Sequence, residues 1–387
     1  NPGDRSVDIS NWALNKGSLF LFPPETVIES KGFLVVALKP ELFSTHYSMS
    51  AVGPLKQPLN RGKDKIELYD AQGKLIDKVS YKDEAPWPVS ADGYSSSLER
   101  ICPTADGDDS DNWTASPLPA DSPKPSGSPG SPNAAYSSTL PPVIGKVKTE
   151  PEDLLSGLPL TVKAKIKSST EQPDVQLLYR VIVKGVESPE ETISMKLDDE
   201  NEWFSAHIPA QSANTLVRYR IKASDPSGSQ RFYPAENDIR PTLSIYAHDG
   251  WEKAPIPYGF IVHVGKEWIP PENQEPRRRP RGFNFFGFGN NQTEPPRPPR
   301  GLSAFVYVDP QSGKTELFDH INIVDRFNNR GYKAFFHKDQ PLNGMTSVNI
   351  AFEGNERFLL AEPLAYDLYR RTGNVAPQCD FLRLWVD

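Results

Sequence analysis

Along most of this chain apolar and polar residues alternate with a period of two, and stretches with helical spacing are almost absent. Lys65-Ile66-Glu67-Leu68-Tyr69 alternates as a half-buried strand does, because successive strand side chains point to opposite faces. Asp70-Ala71-Gln72-Gly73 supplies a turn, and Leu75-Ile76-Asp77-Lys78-Val79-Ser80-Tyr81 returns as the hairpin partner. Phe33-Leu34-Val35-Val36-Ala37-Leu38 is an unbroken apolar run of strand length. Leu158 to Ile166, Val175 to Val183, Glu191 to Leu197, Trp203 to Ile208 and Leu216 to Ala223 are five further strand candidates at regular spacing. A third series follows. Ala304 to Val308 and Lys314 to Phe318 flank the turn Asp309-Pro310-Gln311-Ser312-Gly313, and Ile321 to Val324, Tyr332 to Phe336 and Val348 to Phe352 read as strands. One helix is predicted. Leu360, Leu364 and Leu368 form an apolar stripe, Arg370 and Arg371 lie in the last turn, and Gly373 caps the end. Pro363 fits only a first turn, so the helix is expected to begin near Glu362. Phe381 to Val386 closes the series as a strand.

Composition divides this pattern. A length of 387 residues predicts two or three domains, and 39 prolines favour β-sandwich modules joined by proline-rich connectors. The first unit is read as residues 1–135, including a Pro/Ser-rich linker over 116–135, and the second as 136–248. A connector at 249–302 contains an Arg/Pro/Gly/Phe-rich insertion, and the third unit is 303–387. A net charge of −7 argues against bulk nucleic-acid affinity, which needs a basic surface. Arg277-Arg278-Arg279-Pro280-Arg281 beside Phe283, Phe285 and Phe286 has the chemistry of a single-strand binder, yet fits a solvated insertion better in an acidic chain. No apolar run approaches bilayer-spanning length. Cys102 and Cys379 fall in different units with no metal-ligand neighbours, so no disulfide and no metal site is expected.

Two resemblances give the units names. Val7-Asp8-Ile9-Ser10-Asn11-Trp12-Ala13-Leu14, Phe22-Pro23 and Gly32-Phe33-Leu34-Val35-Val36 come in the order seen in the lamin-tail domain. So do Leu68-Tyr69-Asp70 with Gly73, Ile76-Asp77-Lys78-Val79, Leu98-Glu99-Arg100 and Asn112-Trp113-Thr114. The first unit therefore resembles that immunoglobulin-like sandwich, common in secreted bacterial proteins. The second unit, with Val217-Arg218-Tyr219-Arg220-Ile221-Lys222-Ala223 before Asp225-Pro226-Ser227-Gly228, resembles an immunoglobulin or fibronectin type III sandwich. The third carries Pro341-Leu342-Asn343-Gly344-Met345, Asn349, Glu362, Leu364-Ala365-Tyr366-Asp367-Leu368-Tyr369-Arg370, Ala376-Pro377 and Phe381-Leu382-Arg383-Leu384. It resembles the spore-coat CotH family, whose fold is that of an atypical protein kinase. The expected fold class is thus mainly β: two Ig-like sandwiches plus a partial α+β kinase-like segment.

What the CotH resemblance implies is chemical. Phosphoryl transfer needs a cation on the nucleotide phosphates, a carboxylate orienting it, a metal-holding acid and a base. Lys333 on a strand and Glu362 at the helix start are the candidates for the first two, as ATP-phosphate contacts. As bland alternatives they are a surface strand lysine and a helix-start glutamate suited to the dipole. Arg326, Arg330 and Arg357 are further phosphate candidates. The family's catalytic and metal-binding aspartates would fall after Asp387, so the chain is expected to be a piece of a longer protein. ATP and Mg are expected in that parent and not in this piece, which alone is not expected to catalyse. Protein or cell-surface partners through the sandwiches, an extracellular or cell-envelope location and no nucleic acid complete the reading. The alternative is a non-catalytic adhesion or structural protein with a degenerate kinase-like module.

Other signals are weaker. Asp106-Gly107-Asp108-Asp109-Ser110-Asp111-Asn112 opens like a calcium loop but has Asp111 at position six and Pro117 at position twelve. His248-Asp249 and His320 beside Asp319 read as pairs lacking a third member, and no Gly-x-Ser-x-Gly elbow occurs.

Overall fold

The computed structural model describes residues 1–94, 96–117, 127–168, 173–198, 202–264, 303–309, 311–326, 331–352, 361–373 and 381–386. Three mainly β units follow one another. In the first, the strands Phe20–Leu21, Ala13–Leu14, Lys63–Tyr69 and Leu75–Lys82 form one sheet in that order. Its core gathers Ile9, Phe20 and Phe22 with Trp12, Leu14 and Leu68. The Lys63–Tyr69/Leu75–Lys82 hairpin forms where alternation predicts it, with Gly73 at φ 79° in its turn.

The apolar run Phe33 to Leu38 is not a strand. It makes one isolated parallel bridge, Val36 with Val52. The Val52 amide donates to Val35 O and the Ala37 amide donates to Val52 O, both at 2.8 Å. Beyond that bridge Pro54 has no N–H to give, the Leu55 amide donates to Ala37 O at 3.0 Å in its place, and the helix Pro40–Tyr47 follows. The expected linker also corrects in part. Its described residues 127–135 are tied back to the unit, because Asn133 Nδ2 donates to Arg100 O at 2.8 Å.

The second unit is a sandwich. A four-stranded sheet (Lys196–Leu197, Phe204–Ile208, Leu160–Lys167, Val143–Glu150) faces a six-stranded sheet centred on Asp174–Val183 and Thr215–Ser224. Leu160, Val162, Leu177, Val217, Tyr219 and Ile221 interdigitate between them. The expected strand Glu191 to Leu197 divides at buried Met195: Glu191–Ser194 pairs with one sheet and Lys196–Leu197 with the other. Val143–Glu150, Gln230–Tyr233 and Leu243–Ala247 are strands the alternation did not single out.

The third unit is a six-stranded sheet ordered Ser347–Ala351, Gly331–Phe335, Lys314–Arg326, Ser303–Asp309, Tyr258–Val262, Arg383–Val386. Tyr258–Val262 lies inside the stretch read as connector and is a structural strand, antiparallel to Ser303–Asp309 and parallel to Arg383–Val386. It belongs there because Ile261 and Val262 need both faces of a sheet to bury against. Lys314 to Phe318 and Ile321 to Val324 are one strand with a β-bulge, Asp319 and His320 together opposing Ala304. The helix is Ala361–Arg371, with Gly373 at φ 82° just past its end. No helix of the described residues is long and apolar enough to cross a membrane.

The third sheet covers the outer face of the six-stranded sandwich sheet. Ile182, Leu216 and Tyr246, one row across three strands, pack against Tyr258, Val262, Ala304, Val306 and Val308. That sheet is therefore buried on both faces, which explains the nearly continuous burial along Thr215–Ser224.

Candidate functional site

Lys333 stands on Gly331–Phe335 between Val324 and Asn349 of the flanking strands. Ladder partners share a face, so these three point away from Ala334, which is packed in the core with Phe318 and Ile321. The Lys333 ammonium lies 4.8 Å from the Phe335 ring centroid, a cation–π contact along one strand face. Glu362 lies on the Ala361–Arg371 helix, with its side chain outside the described residues. The Arg326 side chain, Arg330 and Arg357 lie outside them too. On the helix, Leu364 and Leu368 are each 62% exposed. Their stripe faces solvent.

The acidic turn is spent internally. Asp108 accepts from the Ser80 amide at 2.7 Å and pairs with Lys78, while Asp106 accepts from the Asp108 amide and Asp109 from that of Asp111. Cys102 is a buried thiol 3.3 Å from Thr104 Oγ1; Cys379 lies outside the described residues. Among the described residues no group of three or more His, Cys, Asp or Glu is arranged to hold a metal.

The histidines have long-range partners that spacing in the chain could not show. His248 Nδ1 accepts from the Gly250 amide, which leaves the proton on Nε2 to donate to Asp153 at 3.0 Å, and Trp251 stacks on the ring at 4.2 Å. Asp319 and His320 form a buried polar node. Arg218, on the doubly covered sheet, donates through Nε to Asp319 Oδ2 at 2.9 Å and through Nη2 to Oδ1 at 2.6 Å. The side chains are 4% and 5% exposed, a buried bidentate ion pair between two units. The bulge makes it possible: His320 takes φ 54°, and Asp319 turns towards Arg218 while its Oδ1 accepts from the His320 amide at 2.7 Å.

From His320 the network reaches the other units. Its Nε2 lies 2.6 Å from Thr242 Oγ1 of the sandwich, and its carbonyl accepts from His337 Nε2 at 3.0 Å. His337 Nδ1 is then the acceptor facing the Tyr94 hydroxyl of the first unit, at 3.4 Å. Around this line, Ser90 Oγ accepts from the Ile239 amide at 2.8 Å, Lys338 pairs with Asp92 at 2.9 Å, and Arg240 pairs with Asp339.

Electrostatics follow. Burial alone pushes the Asp319 carboxyl up, but His320, Arg218 and the hydrogen bonds together outweigh it and hold the group below the usual carboxylate range. Burial holds His337 below the ordinary imidazole value, with Arg240 adding to the effect. The node ties three units together at one point.

Residues 1–83 match the Lamin Tail Domain family, which covers the first unit as far as the hairpin strand Leu75–Lys82 and its following turn. No curated protein matches the chain. The first unit accordingly carries an Ig-like lamin-tail domain at residues 1–83, followed by two β units outside the match.

Proposed function

We propose that the chain belongs to a multi-modular, exported bacterial protein of the CotH kinase-like family, in which two sandwiches position a phosphotransfer module. The carrying observation is the buried Arg218–Asp319 pair, which fixes the second unit to the sheet bearing Lys333. Such a tie suits a module that must be held at a set angle to its protein substrate. In this reading Lys333 contacts the ATP phosphates, Glu362 orients it, and Mg completes the site in the whole protein. What supports this reading is a lysine on the open face of a sheet and a helix with a glutamate in its first turn.

The second reading is a non-catalytic surface or adhesion protein with a degenerate kinase-like module. The Lys333 ammonium resting on Phe335 favours it, because the contact gives that lysine a use without a nucleotide. Equilibrium dialysis of the complete protein with Mg-ATP separates the two. Binding that disappears in Lys333→Ala supports phosphotransfer. Undiminished binding removes Lys333 from the site, and no binding by the unaltered protein leaves the adhesive reading.

A further inference from the structure

The outer face of the four-stranded sheet carries a row of lysines that folding alone does not explain. Lys148 stands directly opposite Lys163, and the row continues through Ser205 to Lys196. Like charges facing each other across a ladder are destabilising. Glu150 relieves this one pair, at 3.0 Å from Lys148 and 2.7 Å from Lys163. Beside the row, Lys165 pairs with Glu202 at 2.9 Å, and the Trp203 ring lies under both Lys148 and Lys165 at 4.7 and 5.0 Å. The face is locally basic in a chain whose net charge is −7.

Lysines commonly guard a sheet edge against pairing with a second copy. That accounts for Lys146 and Lys148, on the edge strand Val143–Glu150. It does not account for Lys163 and Lys165, which stand on the interior strand Leu160–Lys167. The edge itself is open. Over its eight residues Val143–Glu150 pairs with Leu160–Lys167 on one side, and among the described residues no backbone group pairs with its other side.

We propose that this edge takes up an extended acidic polypeptide as a fifth strand of the sheet. Backbone groups of the ligand would pair with the open side of Val143–Glu150. Acidic residues at every second position, about 6.8 Å apart, would project on the lysine face beside Lys146 and Lys148. The same lysines repel another copy of this edge, so the device selects by sign of charge. An open ladder is satisfied by a polypeptide and not by a sugar or phosphate polymer, and Glu150 and Glu202 interrupt the face for a uniformly charged chain.

The test is fluorescence anisotropy with a labelled octapeptide alternating Glu with Val or Thr, at about 50 mM salt to limit screening. Binding is expected, with a loss of roughly tenfold or more in the Lys148→Glu/Lys163→Glu protein, whose thermal melt checks that it still folds. The same peptide N-methylated at alternate residues keeps its charge but cannot pair as a strand, so it is expected to lose binding with the unaltered protein. Three results overturn the proposal: no binding of the octapeptide, equal binding of the N-methylated form, or inorganic polyphosphate binding as tightly and displacing the peptide.

Discussion

Arg218 and Asp319 sit on interior strands of two different units, so each is sealed from water only when the units are docked. A buried ion pair contributes little net stability over an apolar pair of the same size, but leaving one charge alone costs about 3–5 kcal/mol. Asp319→Ala is therefore expected to lose stability on that scale in urea denaturation, and Arg218→Met combined with Asp319→Leu to recover most of it. The pH dependence has a definite sign. A carboxyl held below its unfolded value of about 3.9 contributes stability above that pH, and loses it as pH falls through the folded value. Asp319→Asn should remove this acid-side loss. His337 acts in a higher window. Its folded value lies below the unfolded one of about 6.5, so the unfolded chain takes up the proton first and stability falls as pH drops from about 6.5 towards the folded value. Arg240 faces the ring with one sign and Asp238 and Asp339 with the other. His337→Gln, whose amide can still donate to His320 O, should flatten thermal melts taken between pH 7 and 5; an unchanged slope would place the titration elsewhere.

At the scale of elements, Gly259 shows how tightly the third sheet is built. A Cβ there would meet Leu382 Cδ2 at 2.8 Å and the Phe305 ring at 3.0 Å. Phe305 is fully buried and cannot retreat, so Gly259→Ala is expected to cost about 1–3 kcal/mol, measurable by chemical denaturation. Much of the element order was legible because alternation reports strands directly: the Lys63–Tyr69 hairpin, Asp174–Val183, Thr215–Ser224 and Gly331–Phe335 fall where the pattern places them. The misses have causes. Phe33 to Leu38 is apolar but finds a strand partner only at Val52, and Tyr258–Val262 was masked by the proline-rich composition that follows it. The polar Asp319-His320 step read as a break between two strands, when it is the bulge of one. Of the candidate site, the strand under Lys333 was legible. The node was not, since Arg218, Thr242 and Tyr94 reach Asp319, His320 and His337 only through docking.

Across the whole molecule the two interfaces differ in kind. The second and third units share an apolar layer, Ile182, Leu216 and Tyr246 against Val306 and Val308, in addition to the buried ion pair. The first unit meets them through polar and partly exposed contacts, including Lys338–Asp92 and Tyr94–His337. Scanning calorimetry is expected to show the second and third units melting in one transition, and the first separately, its melt shifting more with salt because exposed pairs are screened. Two independent transitions for the second and third units would refute the shared layer. The bulge at Asp319 and His320 also acts as a counting device. Side chains on a strand change sides with every residue, and the extra one lets Phe318 and Ile321 occupy the same core. Deleting His320 would leave Phe318 and Ile321 two positions apart, on one face of an unbulged strand, so everything outboard of it keeps its side. Lys333 would stay on the open face and Ala334 in the core, so a single lost codon at His320 would cost the contacts to Thr242 and His337 while leaving both faces of the sheet as they are.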